Sequence, residues 1–233
     1  ENIKSAANMW KADNIENISD TGYYVITLGD LIDLGYIDNI IDTSTNAYYD
    51  RNILINIGIN GVELNDEYKK VDYFESDDTK YIDTEFIPNQ DTRIIVDFKV
   101  DDDKDCNITG SKQTNQNFYF AISSNHWKIG YGMQESIVTN QSDTNRHTLD
   151  FNKNVVSLDG EVIYNFDYKT FIPSRNIYIF SINNDDLISI SAKLYSYKIY
   201  DNNKLIHSFI PVENSKKEKM LLDCINNTVY QFK

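Results

Sequence analysis

The sequence predicts a mainly β protein: a small α+β N-terminal domain over residues 1–68, followed by an antiparallel β-sandwich over residues 69–233. Three observations carry that expectation. Apolar residues recur at helical spacing only near the start of the chain. Beyond it, short alternating runs are separated by Asn, Asp and Gly turns, and no second convincing long helix interrupts them. The 233 residues are 41% apolar and 13% aromatic, enough to bury a sizeable core, which excludes disorder as the main state.

Each element follows from its own pattern. Ile3, Ala6, Ala7 and Trp10 stand at i, i+3, i+4 and i+7, one apolar face of a helix over residues 1–11, and that register turns Trp10 inward. Asp13, Asn14 and the run 17–22 (NISDTG) supply loop chemistry. The run 27–32 (TLGDLI) predicts a short helix that Thr27 or Asp30 can cap, leading into 34–37 (LGYI). Residues 52–59, the Asn60-Gly61 turn and 62–64 predict a β-hairpin, and the polar run 65–70 (NDEYKK) marks the domain boundary. Strands are then expected at 93–100, 117–123, 127–131, 147–151, 155–158, 162–166, 176–182 and 188–200, with Asp159-Gly160 as the strongest hairpin signal.

Charge and composition remove whole classes of function. With 36 acidic against 22 basic side chains the net charge is -14, and no compensating stripe of Lys and Arg offers itself to phosphate. Nucleic acid and anionic membrane surfaces are therefore excluded as partners. No apolar run approaches the roughly 18 residues a membrane helix needs, so no membrane span is expected. The chain opens on Glu1 rather than Met, so an upstream segment is expected to have been cut away.

The usual chemical signatures are missing. His126, His147 and His207 are far apart, without metal-ligand spacing, and neither a GxSxG elbow nor a phosphate-cradling glycine loop occurs. No metal, cofactor or catalysis is expected. Asp101, Asp103, Asp105 and Asn107 alternate like the start of a calcium loop, but Cys106 stands where that loop needs Gly and Lys112 where it needs Glu. A solvated acidic turn is the preferred reading. A glycosidase on a sandwich needs paired carboxylates, usually Glu-x-Asp-x-Glu on one strand, and that motif is absent; Asp83 and Glu85 alternate onto one face and are read as structural. Cys106 and Cys224 lack the CxxC spacing of a zinc or redox site, leaving one disulfide or two buried thiols.

Carbohydrate recognition combines aromatic faces with amides and carboxylates. Residues 117–134 contain these parts, so Tyr119, Asn125, His126, Trp127, Tyr131 and Gln134 are the candidate glycan contacts. The competing reading puts Trp127 and Tyr131 on the core side of their strand.

Two resemblances add to these readings. The run 3–11 (IKSAANMWK), then 23–31 (YYVITLGDL) and 34–38 (LGYID), resembles the front of a type IV pilin of a Gram-positive bacterium, truncated before its hydrophobic helix. From 71–76 (VDYFES), 81–84 (YIDT) and Pro88 to 193–200 (KLYSYKIY), 209–212 (FIPV) and 222–230 (LDCINNTVY), the chain is similar to concanavalin A-like, laminin G-like jelly rolls. Asp83 and Thr84 belong to that family's entry motif, and its strand order can bring Cys106 near Cys224. Together the resemblances imply a minor pilin, at or near a pilus tip on the cell surface, whose lectin-like sandwich mediates adhesion. Its partners would be other pilin subunits, through the missing N-terminal helix, and a host or matrix glycan or surface protein. The alternative is a secreted carbohydrate-active enzyme or its non-catalytic binding module.

Overall fold

The computed structural model describes residues 1–15, 18, 23–77, 79–185 and 188–233. The loop expected at 17–22 falls almost wholly outside them. The chain forms two compact units, one of residues 1–72 with 207–229 and the other of 73–206 with 230–233. The division after Asp72 replaces the expected boundary at 65–70. Those residues instead continue the strand Gly61–Lys70, since a run polar on both sides can still form ladder hydrogen bonds when neither face has to be buried.

In the first unit the helix Asn2–Asp13 buries the predicted stripe of Ile3, Ala6, Ala7 and Trp10. A second helix, Leu28–Asp33, starts on a capping box. The Asp30 backbone N–H donates to the Thr27 hydroxyl at 2.9 Å, and the Thr27 N–H donates to the Asp30 carboxylate at 3.0 Å. Two donors that a helix start leaves unmet are thereby satisfied. The strands Tyr23–Thr27, Ile53–Gly58 and Gly61–Lys70 pair antiparallel, the last two forming the predicted hairpin. The middle strand is buried on both faces: Ile55 and Ile57 pack with the helical cluster, and Leu54 packs with Val25, Val212, Met220, Leu222 and Cys224. Residues 207–229, expected within the sandwich, thus complete the first unit's core.

The second unit is an antiparallel sandwich. One sheet places Thr92–Val100 between Ser191–Asp201 and Arg146–Asn152, which continues through Val155–Leu158 into Glu161–Asn165. The other is six-stranded, in the order Gln134–Gln141, His126–Gly132, Asn117–Ser123, Cys106–Ser111, Tyr178–Ile179, Ile82–Asp83. Alternation decides what lies between them. Ile94, Val96, Phe98 and Val100 are buried from one sheet, Phe118, Phe120 and Ile122 from the other, and the Phe118 and Phe151 rings stack at 4.5 Å. The turn predicted at 159–160 links its two strands with Asp159 at φ 53 and Gly160 at φ 84, the left-handed pair that a two-residue hairpin requires. The strand expected over 176–182 shortens to Tyr178–Ile179, and the one over 188–200 begins at Ser191. Among the described residues no helix is long and apolar enough to cross a membrane.

Candidate functional site

The candidate glycan contacts separate into three groups. Trp127 and Tyr131 are 1% and 0% exposed, and this corrects their assignment as stacking platforms. Both lie between the sheets, Trp127 stacked on Phe120 at 5.2 Å and edge-on to Phe98, Tyr131 packed against Phe151, Phe166 and Phe171. A ring closed off by other rings has no face left for a sugar. Burial pushes the Tyr131 phenol up to about 12.

Asn125, His126 and Gln134 are accessible but occupied. Asn125 forms the turn between two strands at φ 58, and its amide reaches Asp103 at 3.5 Å. His126 Nδ1 meets the Ser124 carbonyl at 2.7 Å. Gln134 pins residue 167 from both sides: its amide donates to the Asp167 carbonyl at 2.9 Å and its oxygen accepts from the Asp167 N–H at 3.3 Å. These contacts hold turns in place.

Tyr119 differs from both groups, because its neighbours Lys112 and Glu135 line a recess. It faces away from the sandwich interior, on the parity of Asn117 and Ala121. Its ring lies over Gly130, where an added Cβ would meet the ring carbon at 2.3 Å, so only glycine admits the ring there. The Lys112 ammonium sits 5.1 Å above the same ring and forms an ion pair with Glu135 at 2.6 Å. Burial first, then the Glu135 charge, drives the Tyr119 phenol far upward. Tyr119 is itself 1% exposed, which rules out a stacking role.

Beside this corner lies a cleft of about 580 Å³, bounded by residues 112–115, Asn117, Met133, Glu135, Asn184 and Asp185. Its walls are fixed from several directions. The Lys112 N–H donates to the Asn183 carbonyl and the Asn183 N–H to the Gly110 carbonyl, both at 3.0 Å. Gln113 accepts from the Ser174 N–H at 3.0 Å and Gln116 from the Ile172 N–H at 2.6 Å. Arg175 holds Asp185 at 2.6 Å. Among the described residues the amide oxygens of Asn117 and Asn184 are buried without a hydrogen-bond partner, as are the hydroxyls of Ser111, Tyr119 and Ser142, and Asn117 is only 5% exposed. A buried acceptor left unmet costs on the order of 1–3 kcal/mol. Asn117 and Asn184 were missed in the sequence. Asn117 opens the strand on the parity opposite Phe118, a signal for the outer face; Asn184 lies in a loop, which offers no periodicity.

A second recess of about 300 Å³, at Trp127, Asn140, Gln141, Asp143, His147, Leu158, Asp159, Glu161 and Ile163, is built around His147. His147 meets Asp159 through Nδ1 at 2.7 Å and Asp143 through Nε2 at 3.0 Å. Burial raises the Asp143 carboxyl, but the Asn145 N–H and the His147 ring outweigh it and hold it below the ordinary value.

The remaining motifs resolve as structure. Asp83 accepts from Lys233 at 2.9 Å, from the Glu85 N–H at 2.9 Å and from Asn176 at 3.0 Å. Burial opposes ionisation there, yet these donors hold its carboxyl below the ordinary value, the reverse of what a general acid needs. In the acidic run Asp102 binds Lys104, Asp105 accepts the Ser124 N–H at 2.6 Å and Asp101 accepts from Ser191 at 2.6 Å. That is the turn reading, with the carboxylates committed separately. Of the two readings left open for the cysteines the structure has the second, two buried thiols at Cys106 and Cys224, and burial, then the Asp102 charge, pushes the Cys106 thiol up to about 12.

No protein-family model matches the chain, and no curated protein matches it in sequence. Solved structures do. A Bacteroides ovatus protein provisionally assigned as carbohydrate binding is 11% identical, with a TM-score of 0.53 over 91% of this chain and 84% of that one. A heptameric SAP-like pentraxin from Limulus polyphemus is 8% identical, with a TM-score of 0.39 over 60% and 78%. A Trypanosoma rangeli sialidase mutant displaying trans-sialidase activity is 9% identical, with a TM-score of 0.40 over 87% and 36%. The first likeness shows the fold; the other two are too weak to argue from. None of the three is a pilin, and the resemblance of residues 1–68 to one gains no support from them.

Proposed function

We propose that this protein is a non-catalytic carbohydrate-binding module whose ligand occupies the cleft over Asn117. The observation that carries the reading is the open cleft bordered by Asn117, whose rim is pinned through Gln113, Gln116 and Arg175. A preformed site loses little entropy on binding, and polar side chains around a recess suit hydroxylated ligands. The likeness of fold to the Bacteroides protein supports the same ligand class. The non-catalytic part rests on Asp83, whose three donors keep it ionised and occupied, and on the absence of a carboxylate pair in the sequence.

The finer placement, a minor type IV pilin at or near a pilus tip that adheres through this module at the cell surface, is supported by the resemblance of the first segment alone. A prepilin signal upstream of Glu1 in the gene would establish it. For the binding itself, the test is a saccharide panel titrated against wild type and Asn117→Leu. Wild type binds at least one saccharide and the folded variant binds it about tenfold or more weakly, a loss of about 1.4 kcal/mol. Equal binding by both would move the site elsewhere.

A further inference from the structure

The outer face of the sheet built on Thr92–Val100 carries a charge arrangement that the cleft does not use. Alternation turns Lys193, Lys99 and Arg146 away from the core, each next to a buried residue of its own strand. The ladder sets them in one row, Lys193 opposite Lys99 and Lys99 opposite Arg146. Neighbouring strands lie only about 4.8 Å apart, and like charges directly opposite destabilise a sheet. The row is invisible in the sequence because its members come from three separate strands. Arg93 and Lys198 share the face.

Each carboxylate on this face has a partner. Glu75 pairs with Lys193 at 3.5 Å, Asp97 with Arg146 at 2.6 Å and Asp150 with Arg93 at 2.6 Å. At one end of the face Asp77 pairs with Lys80 at 3.2 Å, and Asp101 accepts from the Ser191 hydroxyl at 2.6 Å. Among the described residues the ammonium groups of Lys99 and Lys198 are left without an ion pair or hydrogen bond. Lys198 stands opposite Ile95, four residues from Lys99, which separates the two uncommitted charges by about 13 Å along the strand.

The rings of the face decide the kind of partner. Arg146 lies 3.6 Å over Tyr195, Lys193 4.7 Å over Tyr73 and Arg93 5.5 Å over Tyr200. A ring face taken by a cation is not available to stack on a sugar, whereas Tyr and Arg together are residues that anchor protein interfaces. We infer that this face docks an extended acidic segment of a partner protein, whose carboxylates pair with Lys99 and Lys198. The inference goes beyond the carbohydrate reading and does not rest on the cleft. Stacking holds Arg146 and Lys193 in place before the partner arrives, and the partner's charge relieves the repulsion along the row. The net charge of -14 opposes any acidic ligand at low salt, but at about 0.15 M salt charges beyond about 8 Å are largely screened and the local cations prevail.

The test is fluorescence anisotropy at that ionic strength with a labelled hexaglutamate peptide, which extends to about 20 Å. Hexaglutamine is the neutral control, and thermal melts show that each variant is folded. Hexaglutamate should bind wild type at least tenfold more tightly than hexaglutamine, and Lys99→Gln and Lys198→Gln should each weaken it about threefold or more. Lys128→Gln, which removes the same charge from the other sheet, should bind it as wild type does. Equal binding of the two peptides, or hexaglutamate binding unchanged in Lys99→Gln and Lys198→Gln, would overturn the assignment. So would an equal loss in Lys128→Gln, since the attraction is then non-specific, or a galacturonate hexamer that binds as tightly as hexaglutamate, since the partner is then an acidic saccharide.

Discussion

Two polar recesses of the sandwich are held differently. Around His147 each ring nitrogen has a carboxylate partner, in a recess of about 300 Å³. Over Asn117 the recess is about 580 Å³, its rim is pinned by side chains of Gln113, Gln116 and Arg175, and its buried amide oxygens are unmet. Polar residues in a hollow therefore do not by themselves make a site. What distinguishes the second is its size and a rim pinned from several strands and loops.

That contrast can be broken by substitution, and the largest expected effect belongs to a core ring whose edge borders the His147 recess. Trp127→Ala, aimed at the ring first considered a sugar platform, should destabilise the protein by about 3–5 kcal/mol, read by denaturant unfolding. A mutant that stays as stable as wild type would place Trp127 outside the core. Next, His147→Ala should cost about 1–3 kcal/mol, through lost hydrogen bonds and ring packing, while saccharide affinity stays unchanged in the folded fraction. Reduced affinity in that variant would make the His147 recess part of the site. Asn117→Leu should do the opposite, lowering affinity about tenfold while shifting stability by less than about 1 kcal/mol, because removing an unmet acceptor relieves a cost.

The smallest effect concerns Asp83, a third cluster with its partners in place. Its folded carboxyl lies below the ordinary aspartate value, so its contribution to stability is present above about pH 4 and is lost as pH falls through the folded value. The stability gap between wild type and Asp83→Asn should therefore be open at pH 7 and close on acidification. Melts at several pH values would show this, and a gap that widened in acid would mean that the carboxyl is raised instead.

What the sequence showed and what it hid follow the same physical line between local and non-local information. The helix stripe from Ile3 to Trp10, the Thr27 cap and the Asp159-Gly160 turn are decided within a few residues and were legible. The strands Cys106–Ser111 and Gln134–Gln141 were not. The first contains Gly110 at φ 130, and the second is a mostly exposed strand at the end of its sheet, with few apolar positions to mark a face. The site failed for a related reason. In Trp127, Lys128, Ile129, Gly130 and Tyr131 the apolar parity is that of Ile129, which already pointed the large rings inward; they were set against the possibility of a sugar face because aromatic residues serve both purposes. Asn184 meets Asn117 only through the tertiary fold, and an unmet acceptor has no signature in a sequence. Residues 207–229 looked like the sandwich's closing pattern, yet their apolar positions pack with Val25 and Leu54, which spacing alone could not reveal.

The central claim is that the cleft bordered by Asn117 is the binding site, and the most direct measurement is a crystal structure with the tightest-binding saccharide from the panel bound. The account predicts the saccharide seated in that cleft, with the Lys112–Glu135 pair intact. A saccharide seated elsewhere would contradict it.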